Sequence, residues 1–468
     1  MLLDINKHAI NKIAVKDNEG VVLTYGELVQ DIFETSHQIK PRSIVFNLCK
    51  NTAGSLVGYL GFIQGDAVPL VLSNKIDRIL LDDLLKEYTP AYLWIPTEQV
   101  IDFNYPVLFE KHGYSLLETG NEVYPINDQL QLLMTTSGST GSPKLVRYKK
   151  GNLEANAKNV ADAFGWTEAE RPVCDLGMQY TMGLNVINTH LYVGATVLLT
   201  TYNIMSGDFW DYIKREKATN FTGVPFSYDI LYRLHFDQMD LPYLTTLSEG
   251  GGKLTDTRFM QLAEYAKKNG KRFIASYGAT ETAARMSCLP PELALIKIGS
   301  VGRAIPEGEL YLVDENGNEL KEMEAEGELC YRGPNVTMGY AVKKEDLMND
   351  NDFNGEYHTG DFAKRDADGC FYITGRMSRF LKLLSYRVSL DQCESLIQQE
   401  YGIECACTGN DHRMDIFITD GSKKKEVLDY ISNKTSLFKT LFKVYVIDSI
   451  PRDASGKIRY KELGREDC

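Results

Sequence analysis

Apolar residues come in short runs and in helix-spaced stripes, and the two alternate along most of the chain. Leu23 to Leu28 marks a strand running into a helix, and Ser43 to Leu48 is a strand. Leu56, Leu60 and Ile63 then share one helical face that stops at Gly65, with Val68 to Val71 as the next strand. Over residues 1–120 this rhythm predicts a largely parallel sheet with helices on both faces. Leu130 to Met134 reads as a buried strand. Beyond it the pattern predicts helix 152–164, strand 173–176, a helix near 183–193, strand 195–200, helix 208–217 and strand 219–224, closed by Pro225. A short strand with a glycine-rich turn at 248–253, helix 255–268 and strand 272–276 continue the series.

The character changes twice. From Gly299 the chain turns to short strands and glycine-containing turns, as in Gly308 to Val313 and Gly327 to Tyr331, which predicts a β-rich subdomain. Past Gly375-Arg376-Met377-Ser378 the pattern predicts a strand near Phe380–Leu384, helix 389–400, strand 415–419, helix 423–435 and strand 443–447. That is a unit of about a hundred residues, large enough to fold by itself. At 468 residues the chain is too long for one ordinary core. The expected class is α/β. A large N-terminal domain, residues 1–377, has parallel and mixed sheets with helices plus the β-rich subdomain. A small mobile α+β C-terminal domain covers residues 378–468.

Composition narrows the partners. Hydrophobic residues at 43% and charged residues at 25% suit a soluble globular protein. A net charge of −13 disfavours nucleic acid or an anionic membrane surface as a general partner, while leaving room for a local basic nucleotide pocket. The first residues lack the basic start and apolar core of a signal peptide, and no run is long enough to span a bilayer. Nine scattered cysteines without a CxxC pair point to reduced, mostly buried thiols and a cytoplasmic location. Cys405 and Cys407 would point the same way on a strand.

The chemistry gathers first after the strand at 130–134. Thr135-Thr136-Ser137-Gly138-Ser139-Thr140-Gly141-Ser142-Pro143-Lys144 alternates hydroxyls with glycines and ends in a lysine, leading towards a helix near Asn152. Glycines let backbone N–H groups converge, hydroxyls add donors, and Lys144 adds a mobile positive charge, so a polyphosphate is the natural guest. The spacing is not that of a Walker loop, because Gly138 and Gly141 are too close and Ser142-Pro143 precede the lysine. A flexible surface turn is the plain alternative.

Further stretches follow in order. Ser276-Tyr277-Gly278-Ala279-Thr280-Glu281 ends a strand, at the edge where open α/β sheets take ligands. An aromatic there can stack on a base, a hydroxyl can bond phosphate, and a carboxylate can hold Mg²⁺. Gly250-Gly251-Gly252 allows close backbone approach. Asp361 suits a cis-diol, with Arg376 reaching ribose or phosphate from the same side; an Asp–Arg ion pair at a domain boundary is the alternative. Lys457, in Pro451 to Arg459, reads by itself as a surface lysine.

Together these stretches resemble the adenylate-forming (AMP-binding) superfamily of acyl-CoA synthetases, peptide-synthetase adenylation domains and beetle luciferases. Gly299 to Arg303, and Gly327 to Leu329 through Gly339-Tyr340, agree with it, and the likeness runs from Leu23 to Lys457. It implies that Thr136, Ser137, Gly138, Ser139, Thr140, Gly141 and Lys144 cradle ATP phosphates. It also implies that Gly251, Gly252, Ser276, Tyr277 and Gly278 form the adenine site, with Tyr277 stacking. Thr280 would contact the α-phosphate, Glu281 would ligate Mg²⁺, and Asp361 and Arg376 would hold the ribose. Lys457 would swing into the cleft and bridge the acid and the α-phosphate.

The departures bear on acid and acceptor. Tyr180 stands where many acyl-CoA synthetases have His. Thr181 stands where α-amino-acid adenylation domains carry an Asp, so an α-ammonium group would lack its counter-charge. With Gly183, these two residues mark the acid-pocket entrance. Ser378 occupies the hinge, where Asp or Lys is usual, and Ser385 replaces the glycine beside the pantetheine tunnel. The implied enzyme is an ATP- and Mg²⁺-dependent acid–thiol ligase of the acyl-CoA synthetase kind, making acyl-AMP and then a thioester with CoA. Loading of an acyl or peptidyl carrier protein through its phosphopantetheine is the alternative; a non-catalytic nucleotide-binding protein and a luciferase-like oxygenase stand further off.

Overall fold

The computed structural model describes residues 1–136, 144–384, 386–435, 437–452 and 456–463. Local chemistry sets several boundaries. The Leu23–Leu28 stretch resolves into strand Val22–Thr24 and helix Tyr25–Ser36. Thr24 Oγ1 accepts from Glu27 N at 3.2 Å while the Glu27 carboxylate accepts from Thr24 N at 2.8 Å, so two otherwise orphaned donors are satisfied. The next helix, Ala53–Gln64, ends at Gly65 as expected but is buried almost all round rather than on one face. A Cβ at Gly58 would lie 2.2 Å from Trp94 Nε1, so glycine there lets the indole press on the helix backbone.

Among the described residues the strands form sheets of nine, eight, four, three and two. The eight-stranded sheet is parallel across Leu130–Thr135, Val68–Ser73, Ile44–Cys49 and Tyr92–Pro96. Its flanks are antiparallel: Val107–Lys111 and Tyr114–Glu118 form a hairpin on one side, and Leu145–Lys149 pairs back on Leu130–Thr135 on the other. The parallel sheet expected over residues 1–120 is thus mixed. In the nine-stranded sheet, Ile13–Asp17, Val197–Leu199, Pro172–Cys174, Asn220–Gly223, Thr246–Glu249 and Arg272–Tyr277 run parallel. One core joins side chains of both sheets, Met134 and Tyr148 from one and Val15 and Val197 from the other. Helices Tyr25–Ser36, Ala53–Gln64, Asn152–Phe164 and Thr181–Tyr192 fill the space around them.

Strands Glu309–Val313, Ala325–Arg332, Glu356–Arg365 and Phe371–Arg376 make the antiparallel β-rich part. After the short turn Met377–Arg379, a separate core from Leu381 to Val444 gathers helices Leu390–Tyr401 and Lys424–Thr435 over strands Cys405–Asn410, Arg413–Ile418 and Phe442–Val446. Helix Pro225–Arg233 was not expected: Pro225 opens it rather than merely ending a strand, its missing N–H costing nothing in the first turn. No helix among the described residues is long and apolar enough to cross a membrane.

Candidate active site

The carboxyl ends of the parallel strands share one edge, and most of the expected site residues lie along it. Leu130–Thr135 and Leu145–Lys149, on either side of the hydroxyl-rich stretch, pair antiparallel, and helix Asn152–Phe164 follows. Thr136 N donates to the Lys144 carbonyl at 3.4 Å where the loop closes. Ser137, Gly138, Ser139, Thr140 and Gly141 lie outside the described residues. Lys144 is exposed, with Nζ 5.2 Å from the centre of the Tyr340 ring. Tyr340 Oη donates to Glu281 Oε1 at 2.6 Å, so the tyrosine contacts both the lysine and the carboxylate.

Strand Arg272–Tyr277 carries the next group. Gly278 is required by space: a Cβ would lie 1.5 Å from the Ala284 carbonyl oxygen. Thr280 O accepts from Tyr148 Oη at 2.8 Å, and Thr280 Oγ1 lies 3.1 Å from Thr181 Oγ1. The threonine expected at the phosphate and the one expected at the acid thus meet directly. Ser276 Oγ donates to the Glu249 carbonyl at 2.6 Å, pinning the glycine turn to the strand end. Gly251 has φ +79°, and Gly252 packs on Pro225. Gly183 has no room for a side chain, since a Cβ would meet the carbonyl oxygens of Gly177 and Leu176 at 2.4 and 2.5 Å. Tyr180, just before that helix, is 39% exposed.

Asp361 and Arg376 face each other across neighbouring strands. Tyr277 Oη donates to Asp361 Oδ2 at 2.5 Å, and Arg376 Nε approaches Oδ1 at 3.2 Å. The ion pair left open as the alternative is therefore present, and it sits beside the tyrosine. Burial raises the Asp361 pKa, against the pull of Tyr277 and Arg376. Gly456, at φ +83°, rests on Phe226, where a Cβ would lie 2.7 Å from the Phe226 Cβ. Phe226 follows Pro225, on which Gly252 packs, so the segment carrying Lys457 comes close to the glycine turn.

Sequence reasoning missed a knot behind Ser378. Arg379 bonds Glu394 at 2.5 Å and pairs with Asp391, while its guanidinium stacks 3.6 Å from the Tyr460 ring centre. Tyr460 Oη donates to Glu394 Oε2 at 3.0 Å, and Asp391 accepts from Arg376 N at 3.0 Å. Burial pushes Glu394 up to about 7, opposed by Arg379. Arg379 and Tyr460 flank the two motif segments at short range, and the charged run of Asp391 and Glu394 was the available signal. Ser385 lies outside the described residues.

Two stacked mixed sheets, a Thr–Glu turn at their common edge, a carboxylate beside a tyrosine and a lysine loop from the last segment define an adenylate-forming enzyme. The chain belongs to the AMP-binding enzyme family, whose model matches residues 4–341. It is 27% identical over 466 residues to an oxalate–CoA ligase of Arabidopsis thaliana, covering 96% of this chain and 88% of that one. A 2-succinylbenzoate–CoA ligase of Bacillus subtilis is 27% identical over 352 residues, 73% of this chain and 70% of the relative. The fold is that of the B. subtilis O-succinylbenzoate CoA synthetase solved with AMP, with a TM-score of 0.80 at 20% identity over 99% of this chain and 98% of the other. The chain is an AMP-forming acid–thiol ligase.

Proposed function

We propose that the chain joins a carboxylic acid to ATP, releasing pyrophosphate, and passes the acyl group to the thiol of CoA. The acid's oxygen attacks the α-phosphorus and the bond to pyrophosphate breaks. The thiolate then attacks the acyl carbon and AMP leaves. The observation that carries this reading is the meeting of Thr181 with Thr280, beside Glu281, on the edge that Asp361, Tyr277 and the Lys457 segment also reach.

In this reading Asp361 accepts the ribose hydroxyls, and Tyr277, anchored to it, presents its ring to the adenine. Thr280 orients the α-phosphate and Lys457 stabilises charge gathering on it in the transition state. Glu281 fits a magnesium site: its buried carboxylate has the neutral Tyr340 hydroxyl as partner and makes no ion pair among the described residues. A magnesium ion there would neutralise phosphate charge. Residues 1–377 and 378–468 act as two domains that turn about Ser378, supported by the short turn Met377–Arg379 and the separate core beyond it. CoA is the acceptor suggested by the CoA ligases among the relatives. A cytoplasmic location accords with the unpaired cysteines, mostly buried.

The test is acid-dependent exchange of labelled pyrophosphate into ATP, followed by acyl-CoA formation on adding CoA. Both are expected. Exchange with transfer only to a phosphopantetheine carrier would replace CoA as the acceptor, and no exchange with any acid would contradict the function.

A further inference from the structure

Arg285 is a charged side chain that the proposed chemistry leaves unused. It follows Ala283 and Ala284, which stand at φ +55° and +111°, torsions that side-chain-bearing residues avoid unless the surroundings impose them. Asn156 and Asn335 hold its carbonyl from below at 2.9 and 3.3 Å. The residue is 2% exposed, and its guanidinium lies 4.5 Å from the centre of the Phe164 ring. Nε has no hydrogen-bond partner, Nη2 meets the Met182 sulfur at 3.1 Å, and no carboxylate among the described residues is within ion-pair reach.

No neighbour pairs with Arg285 at ion-pair distance among the described residues. Burial pushes the Glu249 carboxyl well above the usual range, opposed by the Arg285 charge, and its Oε1 has no hydrogen-bond partner. Burial also holds His190 down to about 4 and Cys288 up to about 11, and raises the Tyr228 phenol, so all three are neutral near pH 7. The guanidinium, lowered only to about 10, stays a cation. An unpaired buried cation is costly, and a thioether is a weak acceptor that cannot offset it.

Its position says what could. Met182 adjoins Thr181, whose hydroxyl meets Thr280. A Cβ on Gly250 would lie 2.4 Å from the Met182 methyl and 2.9 Å from Ser276 Oγ. Met182 therefore fills the space between the glycine turn and Arg285, just inside the edge where the acid is activated. Methionine is unbranched and easily displaced. We infer that Arg285 is the counter-charge for a second carboxylate on the substrate, so that the pocket takes a short dicarboxylic acid. One carboxylate meets Thr280, and the other pairs with the guanidinium in a two-pronged bond once Met182 swings aside. The inference rests on the proposed function.

The test uses the purified full chain in acid-dependent pyrophosphate exchange with oxalate, malonate, succinate and glutarate, each beside the monoacid of equal carbon number. At least one diacid should surpass its monoacid by about 100-fold or more in kcat/KM, as sites built for a polar group reject analogues lacking it. Arg285→Met should remove most of that ratio, lowering use of the diacid and raising use of the monoacid, with Arg285→Lys in between. A structural arginine would give a different thermal signature: removing an uncompensated charge should raise the Tm of ligand-free protein, whereas removing a structural contact lowers it. Equal use of diacids and monoacids by the native chain, or a lowered ligand-free Tm in Arg285→Met, overturns the inference while leaving the ligase reading intact. Failure of every acid to support exchange contradicts the ligase reading itself, and the Tm comparison still decides the role of Arg285.

Discussion

Asp361 takes the Tyr277 hydroxyl at one oxygen and Arg376 at the other, so its position is set before any ribose arrives. Replacing it with Asn keeps the shape and removes the charge that strengthens bonds to a diol. Asp361→Asn should weaken ATP binding by about 10- to 100-fold and erase the preference for ATP over its 2′,3′-dideoxy analogue, read by calorimetry. An unchanged preference would remove the ribose role. His190 gives a pH prediction. Nε2 faces the Asn220 amide and Nδ1 bonds the Val186 carbonyl, the pattern of a neutral ring, and burial holds the group down to about 4. With the folded value below the unfolded one near 6.5, its contribution is complete above pH 6.5 and is lost as pH falls towards 4. That amounts to about 2 kcal/mol by pH 5. Urea unfolding at pH 7 and pH 5 should show this loss in the native chain and a smaller one in His190→Gln; parallel slopes would contradict it. At this scale Tyr277, Thr280, Glu281, Asp361 and Arg376 stand out in sequence as the candidates on which the proposed reaction rests, because each pairs a chemically specific side chain with a fixed place in a motif. The Tyr340–Glu281 and Tyr277–Asp361 bonds are not, since strand register across distant segments decides them. Arg285 is hidden as well, since no sequence pattern marks the two positive-φ alanines that precede it or its burial against Phe164.

Helices Asn152–Phe164 and Asp256–Lys268 match the apolar pattern closely because their ends carry local stop and start signals. Gly165 ends the first at φ +65°, and Thr255 caps the second by accepting from Arg258 N. Strand Cys405–Asn410 was missed, its polar half giving no run of apolar residues, although Cys405 and Cys407 do turn to the side buried by helix Leu390–Tyr401. Helix Asn152–Phe164 stands near Asn152 as expected, and strand Leu145–Lys149, which the pattern did not predict, precedes it and pairs with Leu130–Thr135. The turn Met377–Arg379 carries the element-scale prediction. If the last segment must present Lys457 for adenylation and withdraw it for thiol attack, a few backbone angles there must change. Proline fixes φ and removes an N–H. Ser378→Pro should therefore keep single-turnover acyl-AMP formation while acyl-CoA formation collapses by about 100-fold or more, as expected when a mobile step is blocked. Both steps at native rates would place the hinge elsewhere.

Across the whole molecule, the order of βα units made the class legible, while the split into two large sheets did not follow from periodicity. Strands Ile13–Asp17 and Val22–Thr24 join the sheet built far downstream, while those from Ile44 to Lys149 build the other, and shared burial of both faces erases the amphipathic signal, as in helix Ala53–Gln64. In the proposed reaction these parts converge on acid activation at Thr280, with the segment that carries Lys457 brought near by the Gly456 contact on Phe226. The most direct test is single-turnover acyl-AMP formation by the native chain and by Lys457→Ala, with ATP binding measured beside it. A fall of about 10²- to 10³-fold in the rate, with ATP affinity within about twofold, is the predicted result, because the lysine acts on charge that develops only in the transition state. Equal rates in the two proteins, or formation of AMP esters that does not depend on an added acid, would contradict the account.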